Sequence, residues 1–332
     1  MGRDVSHVVA IDAGAPDEAT LARAAAILRR GGLVAFPTET VYGLGANAVD
    51  PAAVAQLYEA KGRPAKNPLI VHVADSPHAR RIVDAWPSHA EALAERFWPG
   101  PLTLVLPRPP HIPDIVTAGL DTVAIRAPNH PVAQRLIEVS GLPLAAPSAN
   151  RSGMISPTQA EHVAKSLGER VELILDAGPT AIGIESTVVG LSPPRLLRRG
   201  HIRRDEVEAV VGPVLDLTKP ASEGSDPDAP PSPGMMLRHY APEAEVVVVA
   251  AGDTAALATA MTPGTGALLR TLTHDGDHVE ILPDDPAGFA QGLYAAMHRL
   301  DACCSRLVIE AVPEDDGWAA VRDRIERAAR PR

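Results

Sequence analysis

Lys61, Arg63, Arg126 and Arg198 stand at or near the ends of short apolar runs, in company with Thr38, Thr40, Thr122, Ser148, Ser156 and Ser186 and one imidazole, His72. Fixed cations and small hydroxyls without a nucleophile–base pair suit phosphoryl or nucleotidyl transfer, where positioning and charge neutralisation matter more than covalent help. They suit plain anion binding equally well. The chain has no G-x-S-x-G, H-E-x-x-H or Walker A pattern, so none of those three chemistries is indicated.

Each group sits in a segment with two readings. Residues 31–48, GGLVAFPTETVYGLGANA, run from a glycine pair through a strand at 33–36 and break at Pro37 into a polar, hairpin-like stretch with Gly43 and Gly45. Hydroxyls, a carboxylate and glycines at a strand end mark where α/β folds place ligands, and mark an ordinary turn too. Residues 61–73, KGRPAKNPLIVHV, form a loop shaped by Gly62, Pro64 and Pro68 that carries Lys61, Arg63 and Lys66 into a strand at 69–73. Loop cations are usually solvated, but a rigid loop of them is a good anion holder. Arg126 ends a strand at 123–126, where its charge must reach water, a neighbouring carboxylate or an anion. Residues 147–158, PSANRSGMISPT, can cradle a phosphate or sugar or cap the next helix, and Thr158 is expected to be that cap. Ser186 begins a strand at 186–191, and Arg198 lies in another at 195–200.

The elements that must position these groups follow from periodicity and capping. Helices are predicted at 17–30, from Asp50-Pro51 through 58, and at 89–97, 132–140 and 204–211, with further strands at 144–146 and 173–175. Pro99-Gly100-Pro101 reads as a tight turn into a strand. A length of 332 residues favours two domains. Residues 212–234 shift to Pro, Asp, Ser and Gly and read as a linker. It ends in SPGMMLRHYAP, residues 232–242, an odd sequence for a mere tether. Beyond it, strands at 246–250, 267–272 and 306–311 alternate with helices at 254–261, 286–300 and 318–329. This is a small Rossmann-like α/β domain without G-x-G-x-x-G, so a nucleotide there is not implied.

The totals describe an ordinary globular chain: 45% hydrophobic, 22% charged, 3% aromatic and 33 prolines. A net charge of −10 argues against nucleic-acid binding by the whole surface. Cys303 and Cys304 are adjacent, which gives neither a disulfide framework nor a zinc-ligand spacing. No signal peptide or membrane-length apolar run is seen, so a reducing, cytoplasmic setting is expected.

FPTETVYGLG at residues 36–45, KGRP with NPLIVHV, WPGPLT, TVAIRAPNHP, APSANRSG with SPT, ESTVV and LLRRG occur here in the order of the YrdC-like family. With its C-terminal region, the chain resembles that family's two-domain L-threonylcarbamoyladenylate synthases. The resemblance implies an α/β fold: a YrdC-like twisted mixed sheet with flanking helices (1–211), a Pro-rich linker acting as active-site lid (212–242), and a smaller Rossmann-like domain (243–332). It implies synthesis of threonylcarbamoyl-AMP and pyrophosphate from L-threonine, bicarbonate and ATP. A downstream transferase then modifies tRNA adenosine 37.

Carried over by motif, Lys61 and Arg63 would be the catalytic cations. They would hold ATP together with Asn67, Thr122, Ser148, Ser156, Arg198 and Tyr240. Thr40, His72, Arg126, Ala146 and Ser186 would hold threonine or its carbamate, the fork of Arg126 facing the carboxylate. Mg²⁺ would bridge the phosphates without a protein cage. His239 and Tyr240 would reach the nucleotide from the lid, and Met235-Met236-Leu237 departs from the more polar run common there. A chain cut after Val211 is expected to keep its fold but handle ATP poorly. The rival class is an RNA-binding module using the same cations, disfavoured by net charge and sparse aromatics. A carbamoyl-transfer domain of a hydrogenase-maturation protein would need additional length and zinc-finger cysteines.

Overall fold

Local capping decides where the first helices begin. In the computed structural model, which describes residues 7–218 and 239–331, Asp17 accepts the Thr20 amide ahead of α1 (Glu18–Arg29). Asp50 accepts those of Ala52 and Ala53 ahead of α2 (Pro51–Lys61). The second helix runs one turn beyond expectation, so Lys61 lies in its last turn rather than in the loop.

The first domain is built on β1 (Val8–Ala10), β2 (Val34–Phe36), β3 (Gly43–Asn47), β4 (Ile70–His72), β5 (Leu102–Pro107), β6 (Thr122–Arg126), β7 (Leu144–Ala145), β8 (Leu173–Asp176), β9 (Thr187–Leu191), β10 (Pro194–Arg198) and β11 (Leu215–Asp216). Among the described residues they form one mixed sheet in the order β1-β8-β2-β3-β7-β4-β6-β5-β9-β10-β11. Flanking it are α3 (Ser76–Arg80), α4 (Ser88–Phe97), α5 (Asp114–Thr117), α6 (Pro131–Ser140), α7 (Ala160–Leu167) and α8 (Arg204–Val211).

The second domain contains β12 (Glu245–Val249), β13 (Thr265–Leu269), β14 (Val279–Ile281) and β15 (Arg306–Glu310), with α9 (Thr254–Ala260), α10 (Pro286–Asp301) and α11 (Ala319–Ala328). Its strands are all parallel, in the order β12-β15-β13-β14. Leu307 and Ile309 pack with α10 and α11, while Val308 between them packs with α9. This period-two alternation shows a sheet covered on both faces. The first strand lies at the edge, which differs from the dinucleotide-binding strand order.

Some details depart from the sequence reading. The linker does not begin as free chain: Leu215 and Asp216 pair with Arg195 and Leu196 as an edge strand. Thr158 does not cap α7, whose N-cap is Gln159 without a side-chain bond. Thr158 is buried instead. The short α3, α5 and β14 were not expected, being too short to show a period. Residues 219–238, including Met235-Met236-Leu237, lie outside the described residues.

The domains share a core. Val41, Ile155 and Ile184 of the first pack with Phe289, Leu293 and Tyr294 of the second. Gly183, at φ +84°, meets the backbone of α10 so closely that an added Cβ would lie 2.4 Å from the Ala290 carbonyl. Among the described residues no helix is long and apolar enough to cross a membrane.

Candidate active site

Parallel pairing of β4 with β6 sets His72 beside Arg126 at the strand ends. The turn at 38–41 and the loop at 147–158 close over them. Leu44 N–H donates to the Pro147 carbonyl and Ala149 N–H to that of Tyr42, and Gly43 bridges Ser148. The resulting cleft is lined by Thr38, Thr40, Arg63, His72, Arg126, Ala146, Ser148, Glu185, Ser186, Arg198, His239 and Tyr240, among others, around about 50 Å³ of free space. A larger cavity of about 350 Å³ separates α8 from the starts of α10 and α11. Its arginines, 199, 203 and 204, are paired with Asp216, Asp205 and Glu208. The smaller cleft, which gathers the sequence-predicted residues, is therefore the candidate site.

Arginines dominate it, Arg126 and Arg198 buried and Arg63 half-buried. Arg126 donates from Nη1 to Thr40 Oγ1 at 2.9 Å and from Nε to the Gly100 carbonyl at 3.2 Å. Its Nη2 lies 2.8 Å from Glu39 Oε2, an ion pair without hydrogen-bond alignment. Nη2 and both Glu39 oxygens therefore make no hydrogen bond among the described residues. Arg198 donates from Nε to the Ser186 carbonyl and from Nη2 to Ser186 Oγ, both at 3.0 Å. Ser186 Oγ in turn lies 2.7 Å from Thr103 Oγ1. Arg63 is oriented by Asn67, donating to its Oδ1 at 2.6 Å and to its carbonyl at 3.0 Å.

Burial lowers the pKa of Arg63 to about 10 and lowers that of Arg198. Lys61 is pulled well below the usual lysine value, first by burial and then by Arg63. Burial and Arg126 hold His72 near 3, hence neutral. A cleft that depresses its own cations is one that an anion would relieve.

The second domain supplies part of the wall. Glu185 Oε1 accepts from Ser156 Oγ at 2.6 Å. Its Oε2 accepts from Tyr294 OH at 3.1 Å and Arg324 Nε at 2.9 Å. Burial pushes the Glu185 carboxyl up, but Arg324, Arg198 and Ser156 together hold it below the usual range. The Arg324 guanidinium also sits 5.0 Å over the Tyr240 ring, and Tyr240 stacks on Tyr294. Tyr240 adopts φ +61°, strained for a non-glycine residue. Its hydroxyl and His239 Nδ1 make no hydrogen bond among the described residues.

Eleven residues singled out from the sequence therefore meet at one cleft: Thr38, Thr40, Arg63, His72, Arg126, Ala146, Ser148, Ser186, Arg198, His239 and Tyr240. Four others lie back from it. Lys61 Nζ donates to the carbonyls of Ser148 and Asn150. Asn67 holds Arg63, and Ser156 holds Glu185. Thr122 starts the strand that Arg126 ends, on the same face and about 13 Å along it. Between them, Ile70, Ala124, Val105 and Val188 form a separate apolar strip. Sequence reasoning noted Glu39 only as the carboxylate of its turn, and missed Glu185, Thr103, Tyr294 and Arg324. Glu185 had a signal in its place beside Ser186; Arg324 had none.

Comparison with known proteins shows which family the chain belongs to. Residues 26–200 match the Sua5–YciO–YrdC family, described as telomere recombination. Residues 202–330 match the threonylcarbamoyl-AMP synthase C-terminal domain. A threonylcarbamoyl-AMP synthase of Pyrococcus abyssi is 45% identical over 317 residues, 92% of this chain and 93% of that one. Its counterpart in Bacillus subtilis is 54% identical over 231 residues, 69% and 66% of the two chains. The crystal structure of Pyrococcus abyssi Sua5 complexed with L-threonine superposes with a TM-score of 0.89 at 43% identity, over 97% of each chain. The chain thus belongs to the Sua5–YciO–YrdC family, in the two-domain form that carries the threonylcarbamoyl-AMP synthase C-terminal domain.

Proposed function

We propose that this protein makes threonylcarbamoyl-AMP and pyrophosphate from L-threonine, bicarbonate and ATP, for the modification of tRNA adenosine 37. One observation carries the reading: Arg63, Arg126 and Arg198 converge with Thr40, His72, Ser148 and Ser186 on a single buried cleft, faced by His239 and Tyr240.

Each residue has work to do. The Arg126 fork takes the threonine carboxylate, using the Nη2 that faces Glu39 and makes no hydrogen bond among the described residues. Neutral His72 offers Nδ1, also without a hydrogen-bond partner among the described residues, to the amine that takes up CO₂ or bicarbonate. Arg63 and Arg198, with Lys61 behind them, neutralise charge as the carbamate oxygen attacks the α-phosphorus and pyrophosphate leaves. The apolar strip between Arg126 and Thr122 provides a floor for the base. Tyr240 and His239 cover the mouth and exclude water from a hydrolysable product.

The residues do not suit a resident Mg²⁺. Glu39 faces Arg126 and Glu185 faces Arg324, so these carboxylates are committed to cations. Magnesium would arrive on the ATP phosphates, as part of the substrate. RNA binding is not favoured, because the cations lie inside a narrow cleft rather than on an open basic surface.

The test is pyrophosphate release by the purified protein with Mg-ATP. It is expected only when threonine and bicarbonate are both present. Release without either substrate, or salt-dependent RNA binding without turnover, overturns the reading.

A further inference from the structure

Cys303 and Cys304, unremarkable as neighbours in sequence, gain a third partner from the fold. His278, just before β14, faces the turn after α10 that carries both cysteines. Cys303 Sγ lies 3.6 Å from His278 Nδ1 and 3.6 Å from Cys304 Sγ, and the three potential ligand atoms all lie within 4.8 Å of one another. Tetrahedral zinc, with bonds of about 2.3 Å to sulfur and 2.0–2.1 Å to nitrogen, holds its ligands roughly 3.8 Å apart for S···S and 3.6 Å for S···N. The cluster is thus close to that spacing before any ion enters.

The surroundings are those of an accessible site with a fixed inner ligand. His278 and Cys303 are exposed, while Cys304 is buried. Gly266 on β13 makes room for it: an added Cβ there would lie 2.9 Å from Cys304 Sγ. The neighbouring Arg299 is paired bidentately with Glu280 and so does not compete for the thiols.

We propose that His278, Cys303 and Cys304 form a binding site for a thiophilic d¹⁰ cation, of which Zn²⁺ is the representative. Two sulfurs and an imidazole select Zn²⁺ or Cu⁺ over Mg²⁺ or Ca²⁺. Three protein ligands leave a fourth position for water, so the ion exchanges rather than being sealed in. Binding releases the thiol protons, so affinity should rise with pH. The ion joins β14 to the end of α10, the helix whose Tyr294 meets Glu185.

The test uses the full chain, reduced and stripped of metal, titrated with Zn²⁺ against a chromogenic chelator and with Co²⁺ followed by absorption. One ion per chain is expected, with a thiolate-to-cobalt charge-transfer band. Cys303→Ser and His278→Ala should each weaken Zn²⁺ binding by roughly tenfold or more. Zn²⁺ should raise the Tm of the wild type and not that of His278→Ala. Both substituted side chains are exposed, so unchanged metal-free Tm values establish that the variants are folded. The proposal is overturned by absence of stoichiometric Zn²⁺ binding, by binding that survives both substitutions, or by a cobalt complex without the thiolate band.

Discussion

Arg126 has a carboxylate partner already, Glu39, at 2.8 Å, and is proposed to take a second from threonine. The two demands separate by substitution. Arg126→Ala leaves Glu39 buried without a counter-charge, which costs about 3–5 kcal/mol of stability. It should also lower kcat/KM for threonine by about 2–4 kcal/mol. Arg126→Lys keeps a charge beside Glu39 but loses the fork. It should hold Tm near the wild type and still raise the threonine KM by roughly tenfold. Adding Glu39→Gln to Arg126→Ala should restore stability and not KM; restored KM would make Arg126 a structural residue. At this scale the sequence shows which residues are charged at strand ends and not what they face. Lys61 and its carbonyl partners are separated by 87 and 89 positions, and Glu185 and Arg324 by 139. No local pattern reports such pairs.

Between elements, α7 and α10 meet through His162 and His298, stacked at 3.9 Å. His162 Nδ1 accepts the Thr158 amide at 3.3 Å, and His298 Nε2 lies 3.2 Å from the Ser156 carbonyl. Burial brings the rings to about 3 and about 4. His298, Arg299 and Lys165 add to the drop for His162, while Lys165 lowers and Asp301 raises His298. Glu161, exposed, lies 3.8 Å from His162. The folded values fall below the unfolded value near 6.5, so the unfolded chain takes up protons first. Stability from the pair is complete above pH 6.5 and is lost as pH falls through about 4 for His298 and about 3 for His162, on the order of 3–5 kcal/mol per ring at most. His298→Phe keeps the stacking and removes one titration, so the slope of stability against pH in urea unfolding should fall by about one proton over that window. An unchanged slope would place the proton uptake elsewhere. Element boundaries were legible where a side chain announces them, as at Asp17, Asp50 and Pro51. They were not legible at α7, whose Gln159 cap makes no side-chain bond. Nor were they at β11, whose two residues are held by a neighbouring strand.

The whole molecule closes its cleft with both domains. Val41, Ile155 and Ile184 belong to the second domain's core, and α11 sends Arg324, 1% exposed, to Glu185. A chain cut after Val211 therefore loses more than a lid. Its Tm should fall along with its ATP turnover, which differential scanning calorimetry and pyrophosphate release would report together. A sharper test keeps the chain whole. Arg324→Met removes the guanidinium from beside a buried carboxylate, which should cost about 3–5 kcal/mol. Because Glu185 also holds Ser156 and precedes Ser186, turnover should fall with it. Glu185→Gln combined with Arg324→Met removes the stranded charge, so the double variant should be more stable than the sum of the singles predicts, by roughly 0.5–3 kcal/mol. Turnover decides what the contact is for. If the double variant regains stability but not pyrophosphate release, the second domain positions the serines through Glu185. If it regains both, α11 only covers the cleft, and the ion pair is a structural seam between domains.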